Sequence, residues 1–332
     1  MEAQTVEKFD GTAIYFPLMN GRYEVKPGME AFGCDLGNGQ ADKQVFQIDE
    51  CFADYRQAKL LARGERLSKY YQTCNYTQAV GGAIARLIIE RLIQEHPQHF
   101  DLHQTANTWQ FHSYLTQETL YLNADLELQQ VSTLGSPVFP AYASTLDALA
   151  AQLQEDLTVI CRSADGSNWL SAVHLCYPNH WSAEEKIGRD FAAIHAPVAG
   201  MEKINRRAEA IVNTMIARKP TVRFAWGLST DTRLNHHPEP PPNVSASQWQ
   251  GRKFDLQSPR LYLRIERQVI WGLPEYDTAL FTIRTYFRDC SVVKQDSVLR
   301  SKLYAAVESM SAESLIYKGL AESRDSILQW FR

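Results

Sequence analysis

The chain has 332 residues, of which 45% are hydrophobic and 22% are charged, and its formal net charge is −4. This length and composition are typical of a soluble globular protein with a large core. The 34 basic and 38 acidic residues are interspersed, which argues against nucleic acid or an anionic membrane as a partner. No apolar run approaches the ~20 residues that cross a bilayer, and the first residues lack the basic region and apolar core of a leader. We therefore expect a cytoplasmic protein.

Six cysteines lie far apart, at positions 34, 51, 74, 161, 176 and 290, and no two of them form a C-x-x-C pair. A zinc ribbon or an iron–sulfur cluster needs clustered thiolates, so the sequence predicts neither. Disulfides are not expected in a reducing compartment. No G-x-G-x-x-G or Walker A loop is present, which leaves no sequence sign of a nucleotide or flavin site.

The first third of the chain combines an irregular arm with two predicted helices. Residues 1–48 are punctuated by glycine and proline, and they are apolar enough to pack over another part of the protein. Helical spacing of apolar residues follows from 49 to 95, and Pro97 ends the second helix, which covers 77–95. The loose alternation of residues 109–123 predicts a short hairpin.

Three histidines near the end of the second helix have spacings that metal sites use. They are His96, His99 and His103. Pro97 breaks any single helix that would align them, and no carboxylate or cysteine joins them at a fitting distance. The sequence therefore favours a polar helix end over a metal site.

The rest of the chain predicts two strands, a run of helices and then three strands. A helix over 145–154 leads into the first strand, and Asp165-Gly166 marks the tight turn to the second. Two amphipathic helices, at 295–309 and 314–331, are expected to pack on the N-terminal helices. The five strands are predicted at 157–162, 169–177, 222–228, 261–271 and 279–288.

The helical run between the second and third strands begins in residues 176–198, CYPNHWSAEEKIGRDFAAIHAPV. Pro178 stops whatever precedes it, and Ser182 followed by Glu185 predicts a capping box. A second helix is predicted over about 201–217. The first helix carries one apolar stripe, made of Ile187, Phe191 and Ile194.

His195 lies at the edge of that stripe, which places an imidazole against an apolar wall. A haem iron needs this combination, a neutral nitrogen ligand and apolar surface for the macrocycle. The alternative is a core histidine whose ring nitrogens bond to backbone groups. Spacing alone favours that alternative.

The same segment resembles the signature of the haem-dependent oxidative N-demethylase family. No matching block is specific alone, but the blocks keep their order from residue 16 to residue 320. The signature matches are Tyr177-Pro178, Trp181, Glu185-Lys186-Ile187-Gly188 and Ile194-His195-Ala196-Pro197-Val198. The other blocks are FPLMNGRYEVKPGM at 16–29, QEDL at 154–157, RFAW at 223–226, LRIERQVIWGLP at 263–274, FTIRTY at 281–286 and YKGL at 317–320.

The resemblance implies an α+β fold, with a PAS-like antiparallel sheet core that holds a haem pocket and is enclosed by N- and C-terminal helices. The order of the predicted strands and helices favours the same fold. We expect an N-terminal arm and helical region over 1–154, a PAS-like haem-binding core over 155–290 and C-terminal helices over 291–332. These regions are expected to form one compact unit.

By resemblance, the cofactor is one b-type haem, and His195 is the expected ligand of its iron. No C-x-x-C-H sequence is present, which excludes covalent attachment of the haem. His174, on the strand before the signature, is the second choice of ligand.

The strand at 260–270 carries a polar row, Arg264, Glu266 and Gln268, on one face and apolar residues on the other. A solvated outer face would explain the row, and for a two-layer protein that is the default. If helices cover both faces, the row lines a pocket and its charges must be paired. In that case Glu266 is the candidate for holding an amine or relaying protons, and Arg264 is a candidate partner of a propionate or of bound oxygen.

Three further residues are candidate haem contacts. Arg223 and Trp226 lie on opposite faces of their predicted strand. Arg223 can grip a propionate, whereas Trp226 either fills core or lies beside the haem. Lys186 either reaches a propionate or bound oxygen, or extends into solvent.

The loop at 235–249 is proline-rich and polar. His236 and His237 are adjacent, so in an extended chain they point in opposite directions and cannot share one metal. We expect both to be solvated.

The function implied by the resemblance is that of a haem monooxygenase subunit. It would oxidise a methyl group of a small secondary amine such as dimethylamine with O2, giving a primary amine and formaldehyde. The electrons would come from NAD(P)H through FMN and an iron–sulfur centre on a partner subunit, because the sequence has no such site. The alternative is a haem-based PAS sensor or binding protein without catalysis, since a fold alone does not determine function.

Overall fold

The computed structural model describes residues 15–250 and 253–332, so the first 14 residues of the predicted arm lie outside it. The described strands form two antiparallel sheets with helices before, between and after them, which confirms the predicted α+β class. Within these ranges no helix has both the length and the apolar character needed to cross a bilayer. The described strands are β1 Glu30–Ala31, β2 Tyr71–Thr73, β3 Phe100–Gln104, β4 Thr108–Ser113, β5 Glu118–Asn123, β6 Leu128–Thr133, β7 Asp156–Arg162, β8 Asn168–His174, β9 Thr221–Ser229, β10 Tyr262–Leu273 and β11 Thr278–Asp289.

The two helices predicted in the N-terminal region are confirmed. The second begins at Thr77, whose hydroxyl accepts the amide N–H of Val80 at 3.3 Å and so caps the helix. The described helices are α1 Phe52–Tyr70, α2 Gln78–Glu95, α3 Thr145–Ala150, α4 Ala183–Lys186, α5 Phe191–His195, α6 Glu202–Asn205, α7 Ala208–Ala217, α8 Ala246–Trp249, α9 Cys290–Gln295, α10 Ser297–Glu308, α11 Ala312–Tyr317 and α12 Arg324–Phe331.

The larger sheet has seven strands in the order β1-β9-β10-β11-β7-β8-β2. All five strands predicted from the second half of the chain belong to it. Alternation along these strands sends neighbouring side chains into different cores. Val269 packs in the core that contains α2, whereas Ile270 packs with α5 and α7 on the opposite face. Both faces of this sheet are therefore covered.

The smaller sheet is a meander of β3, β4, β5 and β6 in sequence order. The predicted hairpin at 109–123 is confirmed as β4 and β5, with Phe111 opposite Leu120. Both of these side chains are fully buried against the core that contains Ile84 and Ile88 of α2. The meander thus forms one wall of the core next to the larger sheet.

The C-terminal helices α9 to α12 do not pack mainly on the N-terminal helices, as the sequence suggested. Leu303 and Phe331 lie in a core with Leu263 and Ile265 of β10, together with Tyr15 of the arm. The even-spaced apolar row of β10 supplies the surface that these helices cover, on the face opposite α5 and α7.

The single helix predicted for the signature segment is wrong, because the chain breaks it into α4 and α5. Gly188 has φ +74, a left-handed conformation that ends α4, and a Cβ there would lie 3.1 Å from Cys74 Sγ. The capping box is also absent, since the Ser182 side chain makes no capping bond. Instead Asp190 caps α5, accepting the amide N–H of Ala193 at 2.7 Å.

The expectation that His236 and His237 are solvated is wrong. Both are almost completely buried, with exposed fractions of 2% and 3%. His236 pairs with Asn179 across a parallel bridge, stacks on the ring of His180 and has its Nε2 2.8 Å from a carboxylate oxygen of Asp231. This carboxylate compensates for the burial of the ring, and a proline-rich composition gives no sign of it.

The three histidines after α2 do not converge on one point, as expected. His96 is buried and its Nε2 lies 2.7 Å from the carbonyl oxygen of Phe46, whereas His103 is exposed on β3. The residues at this helix end therefore serve the packing of the arm on α2.

Candidate functional site

His195 is the last residue of α5 and is partly buried under the covered face of the larger sheet. Its Nδ1 lies 2.8 Å from the carbonyl oxygen of Phe191, one turn earlier, and its ring packs against the Phe191 ring at 4.2 Å between centroids. Because Nδ1 donates its proton to this carbonyl, Nε2 keeps a free lone pair. No partner for Nε2 occurs among residues 15–250 and 253–332.

The surroundings of His195 keep its imidazole neutral. Burial lowers the pKa of His195, the hydrogen bond to the Phe191 carbonyl opposes this shift, and the positive charges of Arg223 and Lys186 add to it. A neutral imidazole with one ring nitrogen fixed and the other free is the form that binds a metal. The geometry therefore supplies a nitrogen ligand, oriented by the backbone of its own helix.

Arg223 and Lys186 are the two cations close to this ring. The Arg223 Nε is buried and has no hydrogen-bond partner, and burial lowers the pKa of this guanidinium. Burial also lowers the pKa of Lys186, whose ammonium donates to the carbonyl oxygen of Ile194 at 2.9 Å. A buried donor without a partner is costly, so the Arg223 guanidinium is suited to an anionic group that enters the site.

The predicted polar row of β10 lies on the same face of the sheet as Arg223, the face that α5 covers. Arg223 lies directly opposite Gln268 in the register of β9 and β10, and Ala225 lies opposite Glu266. Gln268 donates to a Glu266 carboxylate oxygen at 3.1 Å, and the Glu266 side chain is 13% exposed. Glu266, Gln268 and Arg223 thus form one polar patch under α5.

Arg264 has a different environment from the one the sequence suggested. It is 1% exposed and donates to the carbonyl oxygens of Tyr177 at 2.6 Å and Leu234 at 3.0 Å. These bonds hold the two parallel segments around Asn179 and His236 against the sheet. Its Nε lies 3.6 Å from Glu266, so Arg264 reaches the polar patch only through that carboxylate.

Trp226 lies on the opposite face of β9 and is not brought to His195. Its ring makes an edge contact with Tyr23 at 5.7 Å and packs in the core beneath the C-terminal helices. Strand alternation accounts for this position, because Trp226 is three residues from Arg223. The expected haem contact is therefore corrected to a core position.

His174 does not belong to this polar patch, because its ring contacts a different set of residues. It is fully buried, with Nε2 3.1 Å from an Asp147 oxygen and Nδ1 3.9 Å from Cys176 Sγ. Both oxygens of the neighbouring Asp156 accept backbone N–H groups, from Cys176 at 2.8 Å and Tyr177 at 2.7 Å. Asp156, His174 and Cys176 are close enough to bind a metal ion, yet each already has partners within the chain.

The sequence did not single out Asn179, which lies at the other edge of the patch. A Cβ at Gly227 would lie 3.8 Å from Asn179 Nδ2, and Gly227 is two residues from Ala225 on the same face of β9. The only local signal was that Asn179 falls inside the signature segment. A cavity of about 130 Å³ is lined by none of these residues and lies between the start of α2 and the β5–β6 turn.

Comparison with known proteins identifies the class of this chain. The family model described as haem-dependent oxidative N-demethylase, alpha subunit-like matches residues 38–328. This range is most of the chain, and the protein belongs to this family. Membership makes it an oxidoreductase of the haem-dependent N-demethylase type, and its description as alpha subunit-like indicates an enzyme with other subunits.

The residues around His195 fit a haem. A haem needs an axial nitrogen donor, cations for its propionates and apolar contacts for the ring. His195 offers a free Nε2, Arg223 offers an unpartnered buried Nε, and Ile194 and Phe191 offer apolar surface.

Proposed function

We propose that this chain is the haem-binding subunit of a monooxygenase that oxidatively demethylates a small secondary amine, of which dimethylamine is the model. The products are a primary amine and formaldehyde. The observation that carries the proposal is the free Nε2 of His195, held on the same side of the sheet as Arg223 and Glu266.

We further propose that the core of this subunit has a PAS-like fold. The five strands β7 to β11 are neighbours in the sheet in the order β8, β7, β11, β10, β9. If β7 is counted as the first strand along the chain, this order is 2-1-5-4-3. PAS sheets have this order, with the helices between the second and third strands facing the ligand pocket. Here those helices include α5, so the order supports a pocket between His195 and the sheet.

His195 binds the iron of a non-covalent haem b through Nε2, and Arg223 and Lys186 pair with the propionates. The bound haem supplies the activation of O2 and the oxidation of the methyl carbon. Two residues fix the position of the iron ligand. Phe191 holds the imidazole through its carbonyl oxygen, and Lys186 donates to the carbonyl oxygen of Ile194 beside it.

Glu266 binds the amine. A secondary amine is cationic at neutral pH, and a partly buried carboxylate attracts it more strongly than water does. Gln268 donates to one oxygen of Glu266 at 3.1 Å, and Arg264 Nε lies 3.6 Å from the other. When the hydroxymethylamine product breaks its C–N bond, Glu266 takes the hydroxyl proton and passes the same proton to the nitrogen, leaving formaldehyde, the primary amine and the original carboxylate.

Activation of O2 consumes two electrons, which must reach the haem from outside this chain. The sequence contains no nicotinamide, flavin or iron–sulfur motif. We therefore assign them to a partner subunit that oxidises NAD(P)H through FMN and an iron–sulfur centre, in the cytoplasm where these reductants are available.

The test supplies the haem-loaded protein with O2, an electron donor and dimethylamine, and measures formaldehyde. We expect formaldehyde in proportion to amine consumed. Glu266→Gln should keep the haem spectrum and lose most of the formaldehyde, because the amide cannot neutralise the ammonium. Oxygen binding without formaldehyde from any methylated amine, despite a competent reductase, would favour the sensor instead.

A further inference from the structure

Exposed basic side chains are concentrated in the segment that contains the helix ending in His195. We call these six residues the basic rim: Arg189, Lys203, Arg206, Arg207, Arg218 and Lys219. Residues 186–219 contain seven Lys and Arg residues against three Asp and Glu residues, in a chain whose formal net charge is −4. This segment is therefore a positive region on an otherwise acidic protein.

The charges of the basic rim are not used within the described part of the chain. None of the six side chains forms an ion pair there. Of the three acidic residues in this segment, Asp190 is occupied as the cap of α5, and with Glu202 and Glu209 the seven basic residues still leave an excess of four positive charges. Like charges held together with too few counter-charges cost free energy, so the rim is suited to an acidic partner.

The rim is also tied directly to the iron-ligand helix. Asn205 of α6 donates to the carbonyl oxygen of Ala192 on α5 at 3.3 Å, which fixes α6 beside His195. The residues after His195 are small, and three of them, Ala196, Pro197 and Gly200, are exposed. An uncharged centre with a charged edge is the usual composition of a protein interface.

We propose that the basic rim is the docking surface for an acidic electron-donating protein, which seats over Ala196 and Pro197 next to the haem ligand. This proposal rests on the function proposed above. Opposite charges steer two proteins together and fix their orientation. Dissolved salt screens this attraction, with a Debye length of about 8 Å at physiological ionic strength. The uncharged centre allows the donor to approach the backbone of His195 closely, which electron transfer requires.

An extended polyanion fits this surface less well than a compact acidic protein does. A membrane or nucleic acid would also meet the acidic remainder of the chain, which outweighs the rim in charge. A small protein that covers only α5 and α6 meets the positive region alone.

The test combines Lys203→Glu, Arg206→Glu and Arg207→Glu in one variant. A matched control reverses three exposed cations outside the rim, Lys43, Lys253 and Arg260. The probe is a plant-type [2Fe–2S] ferredoxin, labelled for fluorescence anisotropy, and its binding is measured with and without haem at several ionic strengths. We expect binding that weakens with salt, falls about tenfold or more in the rim variant and stays near wild type in the control.

Stopped-flow reduction of the haem-loaded protein gives a second readout. The ferredoxin-driven rate should fall in the rim variant, whereas the rate with photoreduced deazaflavin, a small donor, should equal that of wild type. Equal ferredoxin binding by the rim variant and the control would overturn the proposal, and so would salt-independent binding. If the rim variant no longer sedimented with phosphatidylserine vesicles, as the wild type does, but bound ferredoxin unchanged, the rim would be assigned to a membrane. A protein that binds ferredoxin but no haem would contradict the proposed function and leave the docking result standing.

Discussion

At the scale of single residues, burial and neighbouring charges control the protonation and orientation of His195. Two cations and an apolar environment keep its imidazole neutral, and the Phe191 carbonyl oxygen orients it. In the function we propose, the same cations also bind the propionates. Arg223 would then act on the iron ligand in two ways, by pairing with the haem and by lowering the pKa of His195.

Replacing Arg223 should make haem binding more sensitive to acid. Protons compete with iron for His195, so haem is retained to a pH below the ordinary histidine pKa of 6.5. Arg223→Gln removes a cation, raises the pKa of His195 and should move the pH of half-maximal haem loss upward. The measurement is the Soret absorbance during acid titration. The control is Arg218→Gln, a change at an exposed position directly after α7, which should leave the acid titration curve unchanged. An unchanged curve in Arg223→Gln would contradict this role.

His236 gives a prediction for stability against pH. Burial lowers its pKa from 6.5 to about 4, with the positive charge of Arg264 adding to the shift and Asp231 opposing it. His236 is therefore protonated near pH 6.5 in the unfolded chain, but only near pH 4 in the folded protein. Stability contributed by neutral His236 is complete above pH 6.5 and is lost as pH falls toward 4, by roughly 3 kcal/mol at most.

Urea unfolding at pH 4.5, 5.5 and 7 tests this prediction. His236→Asn should flatten the dependence of the unfolding free energy on pH relative to wild type. His103→Asn, a change at an exposed histidine, should preserve it. Parallel curves for wild type and His236→Asn would show that His236 is not buried as a neutral ring.

At the scale of elements, the proposed haem site depends on how closely α7 lies on β10. Gly272 makes this possible, since a Cβ there would lie 2.6 Å from the carbonyl oxygen of Met215 and closer still to that of Ile216. These are backbone atoms at the end of α7, so the helix itself would have to move. The predicted strand ended at 271, one residue before Gly272, so the sequence did not point to this close backbone approach.

Gly272→Ala should lift the end of α7 and weaken both stability and haem binding. We expect a loss of about 1–3 kcal/mol in unfolding free energy, the usual cost of overpacking. Gly64→Ala is the control, because Gly64 lies inside α1 and its nearest atom to an added Cβ is 3.9 Å away. That change should be neutral or stabilising by about 0.5–1 kcal/mol. Calorimetry and haem titration measure both effects, and wild-type behaviour of Gly272→Ala would contradict the close approach.

At the scale of the whole molecule, the sequence predicted what short-range patterns determine. Alternation indicated five of the seven strands of the larger sheet, put Arg264, Glu266 and Gln268 on one face of β10, and put Arg223 and Trp226 on opposite faces of β9. It missed β1, β2, β3 and β6, whose side chains, apart from Phe100, are partly or fully exposed. It also missed the clamp made by Arg264, because that depends on two carbonyl oxygens more than 25 residues away. The division into 1–154, 155–290 and 291–332 as one compact unit stays a prediction.

The absorption spectrum of the recombinant protein tests whether His195 binds a haem b. The protein is produced with a haem precursor, and its folding is checked by circular dichroism. We expect a Soret band in wild type, its loss or displacement in His195→Gly, and its recovery when imidazole is added to that variant. A folded wild-type protein without a Soret band, or a band unchanged in His195→Gly, would contradict haem binding by His195.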